Sequence, residues 1–229
     1  MNKSIEQCNV CGGLEIIDSI VLWPELISTW QISQVEVNYI NRQQGTHCKN
    51  CGSNLRAMGL SAAILREYKY YCTLNQFCLS QSKIDILEIN QAGLLTQFFK
   101  KHKSHKLIEY PEFDMLDLKI DAESYDLVVH SDTLEHIPYP ARALSECYRV
   151  LRATGICIFT VPIILNRMNR SRIGLEPSYH GQSGVLANDQ LVYTEFGANI
   201  WQVVIEAGFS SCELYAFEYP AALTIIARK

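Results

Sequence analysis

Residues 126–162 read DLVVHSDTLEHIPYPARALSECYRVLRATGICIFTVP, which is a pattern of strand, helix and strand. The apolar runs 127–129 and 156–159 predict two buried strands. The apolar positions between them recur at helical spacing: Ala143, Leu144, Cys147, Tyr148 and Leu151. Pro140 suits a first helical turn, and Gly155 is interpreted as the signal that ends the helix. A strand–helix–strand unit of this kind predicts a parallel sheet.

The same stretch resembles the second half of a class I S-adenosylmethionine (SAM) dependent methyltransferase domain, of the type 11-like group. The family pattern reads roughly FDLVV, LEH and YRVLKPGG before a strand. This chain has SYDLVV at 124–129, LEHI at 134–137 and YRVLRATG at 148–155, without gaps. The resemblance covers roughly residues 84–216. It implies an α/β fold with a Rossmann-like seven-stranded sheet whose last strand is antiparallel, and it implies SAM as the cofactor.

Size and composition exclude several classes of protein. A chain of 229 residues suits one domain with an appendage. A hydrophobic fraction of 48% with 19% charged residues is typical of a soluble globular protein. The net charge of −4 argues against a nucleic-acid partner. The N-terminus lacks the apolar core of a secretory signal, and no apolar run approaches the ~20 residues that span a bilayer, so we expect a cytoplasmic protein without a membrane partner.

We divide the chain into a zinc-ribbon-like subdomain (1–56), a helical linker (57–83) and a methyltransferase domain (84–229). The alternating Val35, Val37 and Tyr39 predict a strand in the first part. In the domain, we expect strands at 84–88, 106–110, near Phe113, 126–130, 155–161, 212–217 and 222–227. We expect helices at 93–101 and 194–207. Residues 163–192 show no period and are interpreted as a binding loop or lid.

Four of the nine cysteines form two pairs, Cys8-x-x-Cys11 and Cys48-x-x-Cys51. Each pair can place two thiolates on one tight turn, and two such turns make a closed, structural zinc site. The long gap between the pairs predicts a zinc ribbon with an enlarged loop, wide enough for a small hairpin. Unmetallated thiols, or His47 as a ligand, are the alternatives. Two of the other cysteines, Cys147 and Cys157, fall on predicted core faces and are interpreted as small apolar residues.

The loop after the first strand of the domain is the predicted cofactor loop. Ligands of open α/β sheets bind at the carboxyl ends of the strands, where glycines let the backbone approach closely. The family pattern is an acid followed by GxGxG. Glu88 matches the acid and Gly93 the last glycine. Asn90 and Ala92 stand in the other places, which departs from the pattern, although asparagine tolerates a left-handed conformation.

The resemblance also assigns the remaining cofactor contacts. Glu109 is the predicted ribose ligand, with an ordinary surface carboxylate as the alternative, and Asp114 with Met115 is predicted to meet the adenine. His130 and Ser131, with Asp132 after them, are predicted to lie beside the methionine part of SAM. Glu109 and Asp114 are only five positions apart, so the crossover helix that the family has between them must be missing or reduced.

A catalytic base is needed only if the methyl acceptor must lose a proton. The candidates are His136 in the LEH word, with a structural histidine as the alternative, and Tyr179 with His180 in the long loop. Three arginines of that loop, Arg167, Arg170 and Arg172, suit an anionic substrate or simply a solvated basic loop.

Two functions remain. The first is SAM-dependent methyl transfer to a small-molecule acceptor, anionic or sugar-like. The second is a catalytically inactive methyltransferase-like module that binds or regulates through its zinc ribbon. A nicotinamide dehydrogenase is disfavoured because the glycine loop is wrong for a pyrophosphate, and a nucleic-acid-binding zinc ribbon is disfavoured by the net charge. The sequence leaves the acceptor and the oligomeric state open.

Overall fold

The structure, a computed structural model, describes residues 5–80, 83–179, 190–219 and 221–229, with the backbone only at Thr29. The first part holds β1 (Ile16–Ile17), α1 (Pro24–Trp30), α2 (Gln34–Gly45), β2 (His47–Cys48), α3 (Leu55–Glu67) and α4 (Leu74–Leu79). β1 pairs antiparallel with β2, and the two helices α1 and α2 lie between them in the chain. The segment between the cysteine pairs is therefore a helical insertion, and the expected small hairpin is wrong.

The second part follows an alternating strand and helix order. It holds β3 (Ile86–Ile89), a 3-10 turn (Gly93–Leu95), α5 (Thr96–Phe99), β4 (His105–Ile108), β5 (Tyr125–Ser131), a 3-10 turn (Leu134–His136), α6 (Pro140–Val150) and β6 (Leu151–Thr160). β7 (Ile163–Ile164), β8 (Arg170–Ser171), β9 (Thr194–Gly197), α7 (Ile200–Glu206), β10 (Ser211–Ala216) and β11 (Leu223–Arg228) complete it. None of the helices in these described ranges combines the length and apolarity that a membrane crossing requires.

The central sheet has the order β10-β11-β6-β5-β3-β4. The pairs β3 with β4, β3 with β5 and β5 with β6 are parallel. β11 runs antiparallel to both of its neighbours. A mixed sheet with helices and an antiparallel end resembles the Rossmann-like methyltransferase fold, so the predicted fold class is confirmed at this level.

The predicted strand near Phe113 does not form, and the sheet of the described residues has six strands instead of seven. Phe113 instead donates its backbone N–H to the Glu109 carbonyl at 3.0 Å, in a turn. A parallel crossover takes a dozen or more residues. The few residues that separate Ile108 from Asp114 are too short for one, so the chain turns at the sheet edge.

The core lies on both faces of this sheet because side chains alternate along each strand. On one face Val128 packs with the apolar sides of α6 and α7. On the other face Leu127 and Val129 pack with α3, α4 and α5. α3, expected as part of a linker, is a layer of the domain. Gly59 lets it approach closely, since a Cβ there would lie 3.3 Å from the Ala222 Cβ.

Three other expectations about elements are wrong. The alternating Val35, Val37 and Tyr39 lie in α2, which a Ser33–Glu36 capping box begins. The expected helix 194–207 starts as β9, and only Ile200–Glu206 is helical. Gly155 does not end a helix: α6 stops at Val150, and β6 begins at the next residue and contains Gly155.

Candidate functional site

The four paired cysteines form one cluster. Their sulfur atoms all lie within 4.8 Å of one another, with Cys8 and Cys51 at 3.8 Å and Cys11 and Cys48 at 3.6 Å. Zinc–sulfur bonds of about 2.3 Å in a tetrahedron place sulfurs about 3.8 Å apart, so the cluster has the dimensions of a zinc site. Cys8 and Cys48 are fully buried. This geometry is compatible with the predicted ribbon.

The two cysteine turns have the same local structure. In each, the glycine after the second cysteine donates its N–H to the carbonyl of the first: Gly12 to Cys8 and Gly52 to Cys48, both at 2.8 Å. Both glycines have positive φ, at 84° and 74°, a conformation that glycine adopts without steric cost. This is why C-x-x-C-G folds each pair of sulfurs toward one point.

The environment of Cys11 favours its thiolate form. Burial opposes the charge, but hydrogen bonds from Asn50, from the Gly13 N–H and from the neighbouring thiols outweigh it and lower the pKa of Cys11 to about 7. A thiolate is the form that binds metal. His47 is not part of the described cluster, and its Nδ1 lies 2.7 Å from the Gly45 carbonyl oxygen.

Glu88 shapes the predicted cofactor loop from beneath. Its side chain is fully buried. One carboxylate oxygen accepts from the Ala92 N–H at 2.8 Å and from the Thr96 hydroxyl at 2.5 Å. The other lies 2.7 Å from His105 Nε2. Both carboxylate oxygens of Glu88 thus contact other groups of the protein, and these contacts hold the loop against the sheet.

The loop itself makes a left-handed turn without the usual glycines. Asn90 has φ 52°, and Gly93 has φ 56°. Among the described residues, no heavy atom beyond its chain neighbours lies within 4 Å of where a Cβ on Gly93 would stand, so this glycine faces open space. Ala92 is 2% exposed and belongs to the core. The substitutions at 90 and 92 are therefore compatible with the turn.

Hydrogen bonds join this loop to the end of β4. Asn90 donates its backbone N–H to Ile108 O at 2.8 Å, and its side-chain oxygen accepts from the Tyr110 N–H at 3.1 Å. The Gln91 amide donates to the exposed Glu109 carboxylate at 3.0 Å. Glu109 thus lies beside the predicted cofactor loop.

Asp114 and Met115 differ in their placement. Asp114 is exposed, and its Oδ1 accepts from the Leu116 N–H at 2.8 Å, so one carboxylate oxygen fixes the local turn. Met115 is 4% exposed and packs in the core on the α6 face of the sheet.

His130 and Ser131 follow each other on β5 but point to different environments. His130 is fully buried and stacks on Phe159, with ring centroids 4.5 Å apart. Burial lowers the pKa of His130 to about 3, so the imidazole is neutral. Ser131 is partly exposed, and its hydroxyl lies 2.8 Å from the Thr160 hydroxyl at the end of β6.

A cluster of charged side chains follows the carboxyl end of β5. Asp132, at φ 49°, forms an ion pair with Arg56 of α3. Glu135 is 2% exposed, and its Oε1 lies 3.7 Å from His136 Nε2. Burial, and then repulsion from Asp132, raise the pKa of Glu135 well above its usual range. The sequence pointed to His136 and, by the resemblance, to Asp132, but not to Arg56. No local pattern marks Arg56.

His136 is held by the segment that follows the long loop. Its Nδ1 lies 3.0 Å from the Leu191 carbonyl oxygen, and the Tyr193 N–H donates to Glu135 O at 2.8 Å. Tyr179 bridges to Leu191 in the same place. His180 lies outside the described residues. The structure thus brings Tyr179 and His136 to one edge of the sheet.

The three loop arginines do not form a common site. Arg167 forms an ion pair with Glu36 of α2 at 2.8 Å. Arg172 pairs with Glu195 and also donates to the Glu176 carbonyl at 2.6 Å. Arg170 is exposed on β8. Two of the three therefore serve contacts within the protein.

A family model described as a methyltransferase domain matches residues 68–159. That range runs from the end of α3 through β6, so it contains the cofactor loop and the charged cluster after β5. Ubiquinone biosynthesis O-methyltransferases of Pseudomonas savastanoi pv. phaseolicola and Pseudomonas syringae pv. syringae are each 24% identical to this chain over 130 residues. Each match covers 56% of this chain and 51% of the relative. The chain therefore spans about half the length of the curated relatives it matches.

Solved structures are similar to the chain at low identity. A SAM-dependent methyltransferase from Thermotoga maritima, titled a possible histamine N-methyltransferase, is 13% identical with TM-score 0.41, covering 74% of this chain and 98% of that chain. The CMeT domain of the citrinin polyketide synthase is 13% identical with TM-score 0.49, covering 91% of this chain and 57% of that chain. The family match and the curated relatives support the class of enzyme that the sequence motifs indicate, which is a SAM-dependent methyltransferase.

Proposed function

We propose that the chain transfers the methyl group of SAM to a hydroxyl of a small-molecule acceptor, anionic or sugar-like, at the carboxyl edge of β3, β4 and β5. The observation that carries the proposal is the meeting of two features at this edge. One is a turn whose Gly93 faces open space, and the other is a histidine held between Glu135 and Leu191. In open α/β sheets this edge is where ligands bind.

The proposed cofactor site uses the loop and the two strand ends beside it. Asn90, Ala92 and Gly93 supply backbone that a ligand can approach, and Glu88 holds that backbone in place. Glu109 and the outer oxygen of Asp114 are the proposed partners of the ribose and the adenine, with Met115 behind them. His130 and Ser131 complete the methionine side, His130 through packing and Ser131 through its hydroxyl. Bound SAM supplies the reactive sulfonium.

In the proposed mechanism, His136 takes the acceptor's proton. A carbonyl oxygen can only accept a hydrogen bond, so the proximity of Leu191 O places the proton of the neutral imidazole on Nδ1. Nε2, which lies 3.7 Å from Glu135 Oε1, is then the nitrogen that accepts the proton. Bound SAM would supply the methyl group for in-line transfer to the acceptor oxygen, its carbon–sulfur bond breaking as the new bond forms, and His136 would hold the proton that the acceptor hydroxyl loses. Tyr179, and His180 beyond the described residues, are proposed to face the acceptor.

The cysteine cluster is proposed to hold one structural zinc ion through Cys8, Cys11, Cys48 and Cys51. Four sulfurs at tetrahedral separations leave no open position for a substrate, which argues against a catalytic metal. We also propose the division into a cysteine-bearing subdomain (1–56), a helical linker (57–83) and a methyltransferase domain (84–229). Most of α3 belongs to the linker and packs on the sheet.

An inactive binding or regulatory module is the second candidate. Two glycines of the family loop are replaced by Asn90 and Ala92, and the sheet of the described residues has six strands. Both departures are expected of a domain that has lost turnover while keeping its fold. In this case the zinc-bearing segment would be the functional surface.

An assay of methyl transfer separates the two candidates. The full chain is incubated with isotopically labelled SAM and a panel of phenols, catechols and sugars, with and without a carboxylate or phosphate group. We expect transfer to a hydroxyl acceptor, and we expect His136→Gln to lower kcat about 100-fold or more, in the range of general-base catalysis. His47→Gln removes an imidazole with a similar carbonyl contact in the zinc-bearing segment and should leave transfer unchanged. SAM binding without transfer to any acceptor would favour the inactive module.

A further inference from the structure

A second group of metal-binding side chains lies in the interior, separate from the paired cysteines. His130 of β5, Cys147 of α6 and Cys157 of β6 are each 0% exposed. Their ligand atoms, one ring nitrogen and two sulfurs, all lie within 4.8 Å of one another. The group sits between the sheet and α6, in the apolar layer that also holds Phe159.

The imidazole of His130 lacks a hydrogen-bond partner. Among the residues that the structure describes, neither Nδ1 nor Nε2 has one. A buried polar group left unsatisfied costs about 1–3 kcal/mol, so most such groups in folded proteins have a partner. The stacking on Phe159, with the ring planes 18° apart, holds the imidazole plane in a fixed orientation. The site is thus a fixed nitrogen donor facing two thiols.

We propose that His130, Cys147 and Cys157 bind a second zinc ion, buried between α6 and the strands β5 and β6. Imidazole nitrogen and cysteine sulfur are the ligands that Zn²⁺ prefers. Bonds of about 2.0–2.1 Å to nitrogen and 2.3 Å to sulfur need the three ligand atoms roughly 3.5–4.0 Å apart. The three ligand atoms all lie within 4.8 Å of one another, so none of the three distances exceeds this spacing by more than about 1.3 Å.

Charge balance selects a divalent ion. Two thiolates and a neutral imidazole with Zn²⁺ carry no net charge, which an apolar interior tolerates far better than a net charge. Monovalent copper in the same ligands would leave one negative charge buried. The ion would also give one of the two unpartnered ring nitrogens of His130 a ligand bond, which apolar packing of the cysteines does not.

The site would join β5, whose end leads into the charged cluster, to α6 and β6. Ser131 and Asp132 directly follow His130 at the end of β5. Cys157 pairs with Val128 across the sheet, one strand over. A metal that ties β5, β6 and α6 together therefore fixes the strand end on which Asp132, Glu135 and His136 depend. This inference stands whether or not the proposed methyl transfer occurs.

Metal content tests the site directly. The full chain, purified from zinc-supplemented cells, is analysed by elemental mass spectrometry per mole of protein. We expect two zinc ions in the unchanged chain, one in Cys157→Ala, one in Cys51→Ser, and two in Cys78→Ala, which removes a buried thiol that belongs to neither cluster. Equal zinc content in the unchanged chain and in folded Cys157→Ala would overturn the proposal.

X-ray absorption spectroscopy at the zinc edge tests the same site on the unchanged chain, so the result does not depend on whether a variant folds. Two sites filled as proposed give six sulfur ligands and one imidazole nitrogen over two zinc ions. The unchanged chain should therefore show the outer-shell scattering of an imidazole ring. A spectrum that sulfur ligands alone account for would contradict the second site.

Discussion

At the scale of single residues, Glu88 shows how the loop after β3 is held in its turn with Asn90 and Ala92 in place of glycines. Asn90 takes the left-handed conformation at φ 52°, and the Ala92 N–H is satisfied by the Glu88 carboxylate. The same carboxylate binds Thr96 and lies 2.7 Å from His105. One buried acid therefore holds the loop, the start of α5 and the start of β4 in a fixed relation.

Replacing this acid should destabilise the protein markedly. Glu88→Ala leaves the buried Ala92 N–H and the nearly buried His105 ring without their acceptor. Unpairing such groups costs about 1–3 kcal/mol each, so we expect a loss of about 3 kcal/mol in the free energy of unfolding. Urea unfolding followed by circular dichroism measures it. Glu109→Ala removes an exposed carboxylate and should change stability by less than about 0.5 kcal/mol. Similar values for both variants would refute the role given to Glu88.

At the scale of elements, α2 joins the segment that holds the paired cysteines to the rest of the chain. Its first turn is a capping box in which Glu36 accepts from the Ser33 N–H at 2.6 Å. The same carboxylate pairs with Arg167, which lies between β7 and β8. Arg42, in the last turn of α2, pairs with Glu218 at 2.9 Å. The helix is therefore anchored at both ends by ion pairs to the second part.

Removing the cap should weaken this helix without altering the sheet. Ser33→Ala deletes the side chain that accepts from the Glu36 N–H, and loss of such a cap costs about 1 kcal/mol. Thermal unfolding should show the decrease. Ser28→Ala, at an exposed serine within α1, is the control and should leave the free energy of unfolding within a few tenths of a kcal/mol of the unchanged chain. A Ser33→Ala variant as stable as this control would show that the capping box does not stabilise α2.

The strand–helix–strand unit at 126–162 and the cysteine pairs were readable because their signals are local. The helical spacing of apolar residues in α6 and the two C-x-x-C-G motifs can each be recognised from residues that are close in sequence. The helix α2 was misread because Val35, Val37 and Tyr39 alternate, and a period of two favours a strand. The capping box Ser33–Glu36 was the competing signal. The motifs shared with the family pointed to His136 and Glu88. The Arg56–Asp132 ion pair joins positions that are distant in sequence, so it follows from tertiary packing alone.

At the scale of the whole molecule, the segment that holds the four paired cysteines lies against the proposed cofactor site. A Cβ on Gly52 would lie 2.8 Å from Leu94 Cδ1, so the second cysteine turn contacts the residue after Gly93. Arg56, directly after this segment, pairs with Asp132 at the end of β5. The two parts of the chain therefore meet at one edge of the sheet, and the second cysteine turn packs against the proposed cofactor loop.

The measurement that tests the central claim most directly is calorimetric titration of the zinc-replete chain with S-adenosylhomocysteine. We predict micromolar, one-to-one binding that Asp114→Ala weakens at least 10-fold, or about 1.4 kcal/mol. Asp117→Ala removes a carboxylate whose described contact is the exposed Lys119, and it should bind like the unchanged chain. Absence of binding to the unchanged chain would contradict the proposed cofactor site and leave the inactive module as the better account.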